Sequence, residues 1–250
     1  MISPNDIPLA SALGNKVVIL TGPTSGLGLA IFELLQEHGT PTVAVGRMID
    51  RLAETPSENR VEQTSTTLVS ADFSSAESSE WIANVREGFE KLLGDYSDRT
   101  AILINNAATI EPIQSAVSLD QAALRRSMQI NFGAPVALAS ALVDIAVARN
   151  RQLRIVNITT GAARRPIAGW LPYCASKAAC RIALDVLSLE NPGIELLHYD
   201  PGVIDTQMQM RIRNARKVLP HGLEPLNPSA LRTPREAALL VVEEALKGQV

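Results

Sequence analysis

The sequence predicts an α/β fold: one doubly wound parallel sheet with helices on both faces. Three observations predict it. Short β-rich runs alternate with longer segments of helical periodicity along the chain, the pattern that right-handed strand-helix-strand crossovers leave. Several of these runs are apolar on both faces, as strands covered by helices on both sides must be. A glycine cluster falls between the first run and the first helical segment, where open parallel sheets place their ligands.

The elements follow in order. KVVIL (Lys16 to Leu20) is the first strand, and the helical GLGLAIFELLQEHG after it is closed by Gly39, a C-terminal cap. PTVAV (Pro41 to Val45) and TTLVS (Thr66 to Ser70) are the second and third strands. SSEWIANVREGFEKLLG carries apolar residues at helical spacing up to Gly94, which reads as a second cap. AILIN (Ala101 to Asn105) leads into a long helical stretch from Leu119 to Ala148, and LRIVNIT (Leu153 to Thr159) leads into PYCASKAACRIALDVLSLE. IELLHY (Ile194 to Tyr199) is the sixth strand. After the helix TPREAALLVVEEALKG (Thr233 to Gly248) only Gln249 and Val250 follow, so a seventh strand is short or missing.

At 250 residues, 46% of them hydrophobic and 20% charged, the chain can bury one large core. No linker, repeat or low-complexity block divides it, which predicts a single domain over 1–250 with an N-terminal arm at 1–15. A formal charge of −3, with both signs mixed along the chain, gives no case for a nucleic-acid partner. The cationic run RIRNARK (Arg211 to Lys217) reads as a solvated helix face. No eighteen apolar residues run together and the N-terminus lacks a cationic start, so neither a membrane span nor a secretory signal is expected. Cys174 and Cys180 lie six apart on one helical segment, about 9 Å along the axis, too far for a disulfide. A reduced, cytoplasmic setting fits, and no metal site is expected.

Residues just beyond the strands are the functional candidates. TGPTSGLG (Thr21 to Gly28) sets Gly22, Gly26 and Gly28 between a strand and a helix, where residues without Cβ let the backbone approach a pyrophosphate at the helix N-terminus. After the second strand stands GRMIDRL. An acid at this place meets a free ribose 2′-hydroxyl and an arginine a 2′-phosphate, so Arg47 predicts NADPH in preference to NADH. In YCASK, Tyr173 and Lys177 are spaced i, i+4, which on a helix brings a phenol and an ammonium to one face.

With TGPTSGLG, NNAA (Asn105 to Ala108), IVNITT (Ile155 to Thr160), YCASK and DPGVIDT (Asp200 to Thr206) in one order, the sequence resembles the short-chain dehydrogenase/reductases from about Lys16 to about Thr206. Its phrasing in LINNA, GWLPYCASKAA and YDPGVIDTQMQ is most similar to the branch of sepiapterin reductases and bacterial benzil reductases. The resemblance implies a Rossmann-type fold, with Tyr173 as acid/base, Lys177 as its paired lysine, Asn131 as the asparagine of the proton relay and Thr160 in the place of the usual serine. It implies cofactor contacts at Gly22, Gly26, Gly28, with Thr24, Ser25 and Leu27 in the same turn, and at Asp72, Asn105, Ala107, Pro201, Gly202, Val203 and Thr206. Three departures from the family stand out. Thr160 adds a methyl group to the hydroxyl donor. Ala108 replaces a glycine and would strain the loop if φ had to be positive. The acidic residue that anchors the pterin near the C-terminus of sepiapterin reductases has no evident counterpart.

The expected reaction is NADPH-dependent reduction of a bulky carbonyl, such as a diketone or a pterin side chain, in which Tyr173 protonates the oxygen that receives the electrons. A neighbouring cation and an oxidised nicotinamide should lower the phenol's pKa from about 10. The substrate should meet Gly161 to Pro172 and a covering segment at 207–232, with Trp170, Met208, Met210, Leu219 and Leu223 as apolar wall and Arg164 and Arg165 at its rim. The alternatives are NAD-dependent alcohol oxidation and a dinucleotide-binding regulator without turnover. The family resemblance implies a homodimer or homotetramer.

Overall fold

The computed structural model describes residues 9–54, 65–75, 79–215 and 231–247. The six β-rich runs form strands β1 (Lys16–Thr21), β2 (Thr42–Gly46), β3 (Thr66–Ser70), β4 (Thr100–Asn105), β5 (Leu153–Ile158) and β6 (Ile194–Tyr199). They make one sheet in the order β3-β2-β1-β4-β5-β6, parallel throughout, with Ile19 in register with Val43 and Leu103. No seventh strand occurs among the described residues. The nearest thing to one is a single parallel bridge between Ile204 and Arg232.

Strand side chains alternate between two cores, as a period of two requires. Val17, Ile19, Val43, Leu103 and Ile155 face one core with α4 (Ser79–Asp95), α6 (Ala134–Ala148) and α7 (Leu171–Glu190). Val18, Leu20, Ala44, Ile102 and Val156 face the other with α1 (Leu9–Gly14), α2 (Gly26–Glu37) and α9 (Pro234–Leu246). Each fully buried leucine, valine or phenylalanine contributes about 1.5–3 kcal/mol. The expected N-terminal arm therefore includes a helix whose Leu13 is core.

Gly39 caps α2 as expected, at φ 62°. Gly94 does not cap α4: the helix runs on to Asp95, and Tyr96 N–H bonds to the Leu92 carbonyl. A short 3-10 turn (Ala116–Ser118) precedes the stretch from Leu119, which resolves into α5 (Gln121–Met128), a π-helical turn (Gln129–Gly133) and α6. By length and composition the continuous helical run 121–148 could cross a membrane. Its apolar character has another use, since Leu138, Leu142, Val143 and Ala146 pack beneath the sheet. Two short helices, α3 (Asp50–Glu54) and α8 (Gln207–Ala215), complete the described chain.

The order reverses direction at β1, whose neighbours are β2 on one side and β4 on the other. The chain beyond β1 and the chain beyond β4 diverge there and leave a crevice at the carboxyl ends. Asn106 holds its edges at a fixed distance. Its N–H and that of Ala107 bond to Thr21 Oγ1 at 2.9 and 3.0 Å, and its Nδ2 donates to the Thr21 carbonyl at 2.9 Å.

Candidate active site

A cleft of about 1140 Å³ runs along the carboxyl ends of the strands. At one end the chain leaves β1 through a turn in which Gly22 and Gly26 adopt φ of 68° and 53°, conformations that a side chain disfavours. Gly28 is constrained by space instead: a Cβ there would lie 1.9 Å from the Gly22 carbonyl oxygen. α2 starts at Gly26, and its N-cap Ser25 makes no side-chain bond to the helix. The first-turn N–H groups, with the positive end of the helix dipole, thus remain available to an anion. These observations fit a dinucleotide pyrophosphate. Arg47 lines the cleft next along, after β2. Ala71 and Phe73 also line it, but Asp72 between them does not; its carboxylate accepts from Ser74 N at 2.9 Å and Ser74 Oγ at 2.8 Å. Those bonds, helped by the nearby Arg47 charge, hold it below the usual carboxylate range.

The far end is assembled by α7 and the turns that face it. Tyr173 and Lys177 both line the cleft, though both are largely buried. Lys177 Nζ donates to the Ile158 carbonyl at 2.9 Å, and burial lowers its pKa. Burial also pushes the Tyr173 phenol well above its ordinary pKa, with the negative charge of Asp200 adding to the rise. The lowering expected from Lys177 is not found in the protein alone: burial first, and then the charges of Asp200 and Cys174, all act to raise the pKa. Tyr173 is held as a neutral phenol, a proton donor.

Thr160 is extended at the end of β5 and caps the 3-10 turn Gly161–Ala163, its Oγ1 accepting from Ala162 N at 3.3 Å. A hydroxyl that accepts there keeps its own hydrogen free to donate. Its neighbour Thr159 also lines the cleft, and its buried Oγ1 has no partner among the described residues. Ala108 lies in the cleft wall without a positive φ, so the methyl that replaces glycine is not strained.

Two more expected contacts, Asn131 and Asn105, stand behind the wall. Asn131 sits in the π-helical turn, a local irregularity common at functional sites. Its Oδ1 accepts from Thr109 N, and its Nδ2 points at the Thr109 carbonyl, Ser127 Oγ and Ser176 Oγ within 3.3 Å. Two N–H bonds facing three acceptors leave the amide no spare donor, while Oδ1, with one bond from Thr109 N, keeps a second lone pair. Asn105 is buried, its Nδ2 donating to Asn157 Oδ1 at 2.8 Å, and Asn106 takes the place in the cleft that was expected of it.

Thr24, Leu27, Ala107, Pro201, Gly202, Val203 and Thr206 line the cleft as expected, and so do Trp170 and Met208 of the substrate wall. Gly202 has φ 77°, and a Cβ there would meet Arg232 Nη1, which donates to the Pro201 carbonyl at 2.6 Å. Leu219 and Leu223 lie outside the described residues. The described part of the cationic run is paired, Arg211 with Glu111 at 3.1 Å and Arg213 with Asp205 at 2.7 Å, whereas Arg216 and Lys217 lie outside the described residues. Sequence reasoning missed Ile110, Ile113 and Ile167 in the apolar wall, which come from loops without periodicity to mark them. Among the described residues no cluster of side chains could hold a metal ion.

A glycine turn at a sheet's switch point and a tyrosine-lysine pair on the helix after β5 together define a dinucleotide-dependent oxidoreductase fold. The family described as short chain dehydrogenase matches residues 16–217, and the chain belongs to that family. It is 34% identical over 218 residues to benzil reductase ((S)-benzoin forming) of Bacillus subtilis (strain 168), covering 84% of this chain and 83% of that protein. To sepiapterin reductase of Mus musculus it is 29% identical over 222 residues, covering 83% and 82%. The solved KRED1-Pglu enzyme superposes with a TM-score of 0.71 at 25% identity over 94% of this chain and 96% of the other. A metagenomic short-chain oxidoreductase solved in complex with NADP shares the fold, with a TM-score of 0.70 at 21% identity over 95% and 93%.

Proposed function

We propose that the protein is an NADPH-dependent reductase of bulky ketones, diketones above all, with Tyr173 as its acid. Tyr173 and Lys177 carry the proposal: they open, one helical turn apart, onto the cleft whose other end is the glycine turn. Bound there, the dinucleotide supplies the hydride that reaches the carbonyl carbon. Tyr173 donates its phenolic proton to the carbonyl oxygen as negative charge builds on it, and Thr160 donates a hydrogen bond to the same oxygen. Lys177, anchored on the Ile158 carbonyl one helical turn from Tyr173, would supply a cation to the phenol and hold the nicotinamide ribose. Asn131 ties the loop after β4 to α7 and so keeps Tyr173 in register with the rest. Arg47 would take the 2′-phosphate that distinguishes NADPH. The relatives' names, one a benzil and the other a sepiapterin reductase, agree with a bulky carbonyl.

The proposal extends to setting and assembly. Two free cysteines suit the cytoplasm. Ile182, Val186 and Leu189 form an exposed apolar stripe on α7, 62%, 47% and 82% accessible, on which two copies could pair as a homodimer or within a homotetramer.

The test is NADPH consumption against vicinal diketones, sepiapterin and simple ketones, with Tyr173→Phe as control. Turnover should fall by roughly 10²- to 10⁴-fold in the variant while NADPH still binds. Turnover that survives in Tyr173→Phe would remove Tyr173 from the reaction, and NADPH binding without turnover of any carbonyl would favour a regulator.

A further inference from the structure

The chain as a whole is acidic, with a formal charge of −3, yet the charged side chains that line the cleft are mostly basic. Arg47, Arg126, Arg165, Lys177 and Arg211 stand against two carboxylates, Glu111 and Asp200, an excess of three positive charges among the described residues. A cleft lined by one sign of charge focuses the field and gathers ligands of the opposite sign. The dinucleotide accounts for part of the excess, since Arg47 and Lys177 are assigned to it above, and Arg211 is neutralised by Glu111 at 3.1 Å. Arg126 and Arg165 are left over. Both are exposed to the cleft, and neither is ion-paired among the described residues.

Their heads converge on the substrate end from two sides. Arg165 N–H bonds to the Gly161 carbonyl at 3.1 Å, and its guanidinium lies against Gly161, with Nε, Nη2 and Cζ at 3.5, 3.6 and 3.7 Å from the place a Cβ would take. Gly161 directly follows Thr160, the hydroxyl assigned to the reacting oxygen. Arg126 comes from α5, whose cleft face also carries Ala123, Ser127 and Ile130 at helical spacing. That turn is tied to the helix of Tyr173, because Asn131 Nδ2 bonds to both Ser127 Oγ and Ser176 Oγ.

We infer that the substrate of this site is an anionic ketone, whose carboxylate is taken by Arg165, with Arg126 as the second cation, while its carbonyl meets Tyr173 and Thr160. The inference rests on the reading of Tyr173 as the acid of a ketone reductase. A guanidinium presents a planar fork of donors that matches a carboxylate, and such charge-assisted pairs are stronger than neutral hydrogen bonds. The carboxylate exchanges neither hydride nor proton. It orients the carbonyl that does, and the surplus charge of the cleft speeds its arrival.

The test uses benzils that carry a carboxylate at the meta or para position of one ring, each beside the carboxamide of the same size, so that charge alone differs within a pair. Reduction is measured in the wild type, Arg165→Gln and Arg126→Gln, with NADPH affinity followed in each. The wild type should prefer a carboxylate over its carboxamide by about tenfold or more in kcat/KM, and the preference should shrink as ionic strength rises. Arg165→Gln should lose most of the preference and Arg126→Gln a smaller part, while both bind NADPH as the wild type does, which certifies the fold. Equal turnover of carboxylate and carboxamide in both pairs would overturn the inference, and so would a preference that survives both substitutions. Weakened NADPH binding with the preference retained would give these charges to the dinucleotide and overturn it as well. Tyr173→Phe separates the two levels: if the wild type reduces all these ketones without preference and Tyr173→Phe reduces none, the reductase assignment stands and the anionic-substrate inference falls. A wild type that reduces none of them overturns both.

Discussion

The two ends of the cleft are built by different means. The dinucleotide end is made of backbone: left-handed glycines, a carbonyl oxygen with no room for a methyl beside it, and helix N–H groups without a side-chain cap. The substrate end is made of side chains from separate elements, two of them, Thr159 and Trp170, with a buried polar atom that has no partner among the described residues. Backbone sites tolerate almost no change because their shape is the function. Side-chain sites accept substitution and pass its effect into substrate choice. The difference teaches that this chain can alter what it reduces far more easily than what it reduces with.

The sharpest way to break that contrast is Gly28→Ala. The added methyl would lie 1.9 Å from the Gly22 carbonyl oxygen and 2.5 Å from Asn106 Nδ2, both part of the frame that spaces β1 from β4. Backbone must move to relieve it. NADPH affinity, followed by fluorescence titration, should fall at least about 100-fold, roughly 2.7 kcal/mol, with a lowered melting temperature. Binding within twofold of wild type would show that the turn is not the pyrophosphate seat.

At the substrate end the neighbouring threonines should part company. Thr160→Val removes a hydroxyl that is oriented by Ala162 N and free to donate, and kcat should fall on the order of 100-fold, as for loss of one oxyanion donor. Thr159→Val removes a buried hydroxyl without a partner among the described residues. Such a change is close to neutral for stability, and kcat should move less than about threefold. The opposite ranking would transfer the donor role to Thr159. Smaller again is the expected effect of Arg47→Ala, a loss of roughly 10- to 100-fold in NADPH affinity with NADH affinity unchanged. Equal losses for both dinucleotides would place Arg47 outside the 2′-phosphate site.

The same contrast explains what could be read in the sequence. The six strands, their parallel order and the glycine turn were legible because they rest on periodicity and on residues that only a few backbone conformations require. Tyr173 and Lys177 stood out by their spacing within a helix, and Thr160 only through the family resemblance. Gly94 misled, because a glycine inside a helix resembles a glycine that ends one until the next residue is seen to continue. The direction of the Tyr173 shift also misled: a local cation is visible in sequence, whereas the burial that dominates depends on the packing of distant segments. The Asn131 bonds span 22 and 45 residues, and nothing local announces them.

The smallest expected effect belongs to the layer beneath the cleft. Asn105, Asn157, His198 and Asp185 form a chain of hydrogen bonds across the ends of β4, β5 and β6 to the surface of α7. Asn157 Nδ2 donates to His198 Nδ1 at 3.0 Å, so the ring hydrogen resides on Nε2 and is donated to Asp185 at 3.0 Å. Burial pushes the imidazole pKa down, against the pull of Asp185 and with the repulsion of Arg181. A neutral imidazole is what the chain needs, since a protonated Nδ1 would face the Asn157 amide donor to donor. The folded state binds this proton less readily than the unfolded state does, so the stability due to His198 is complete above about pH 6.5 and is lost as the pH falls through the lowered folded value. Denaturant unfolding between pH 5 and 8 should show a modest decline below that point. His198→Asn, whose Oδ1 can still accept from Asn157, should remove this part of the decline. An unchanged slope in that variant would assign the decline to carboxylates at the surface, and the layer beneath the cleft would then be scaffold with no titrating part.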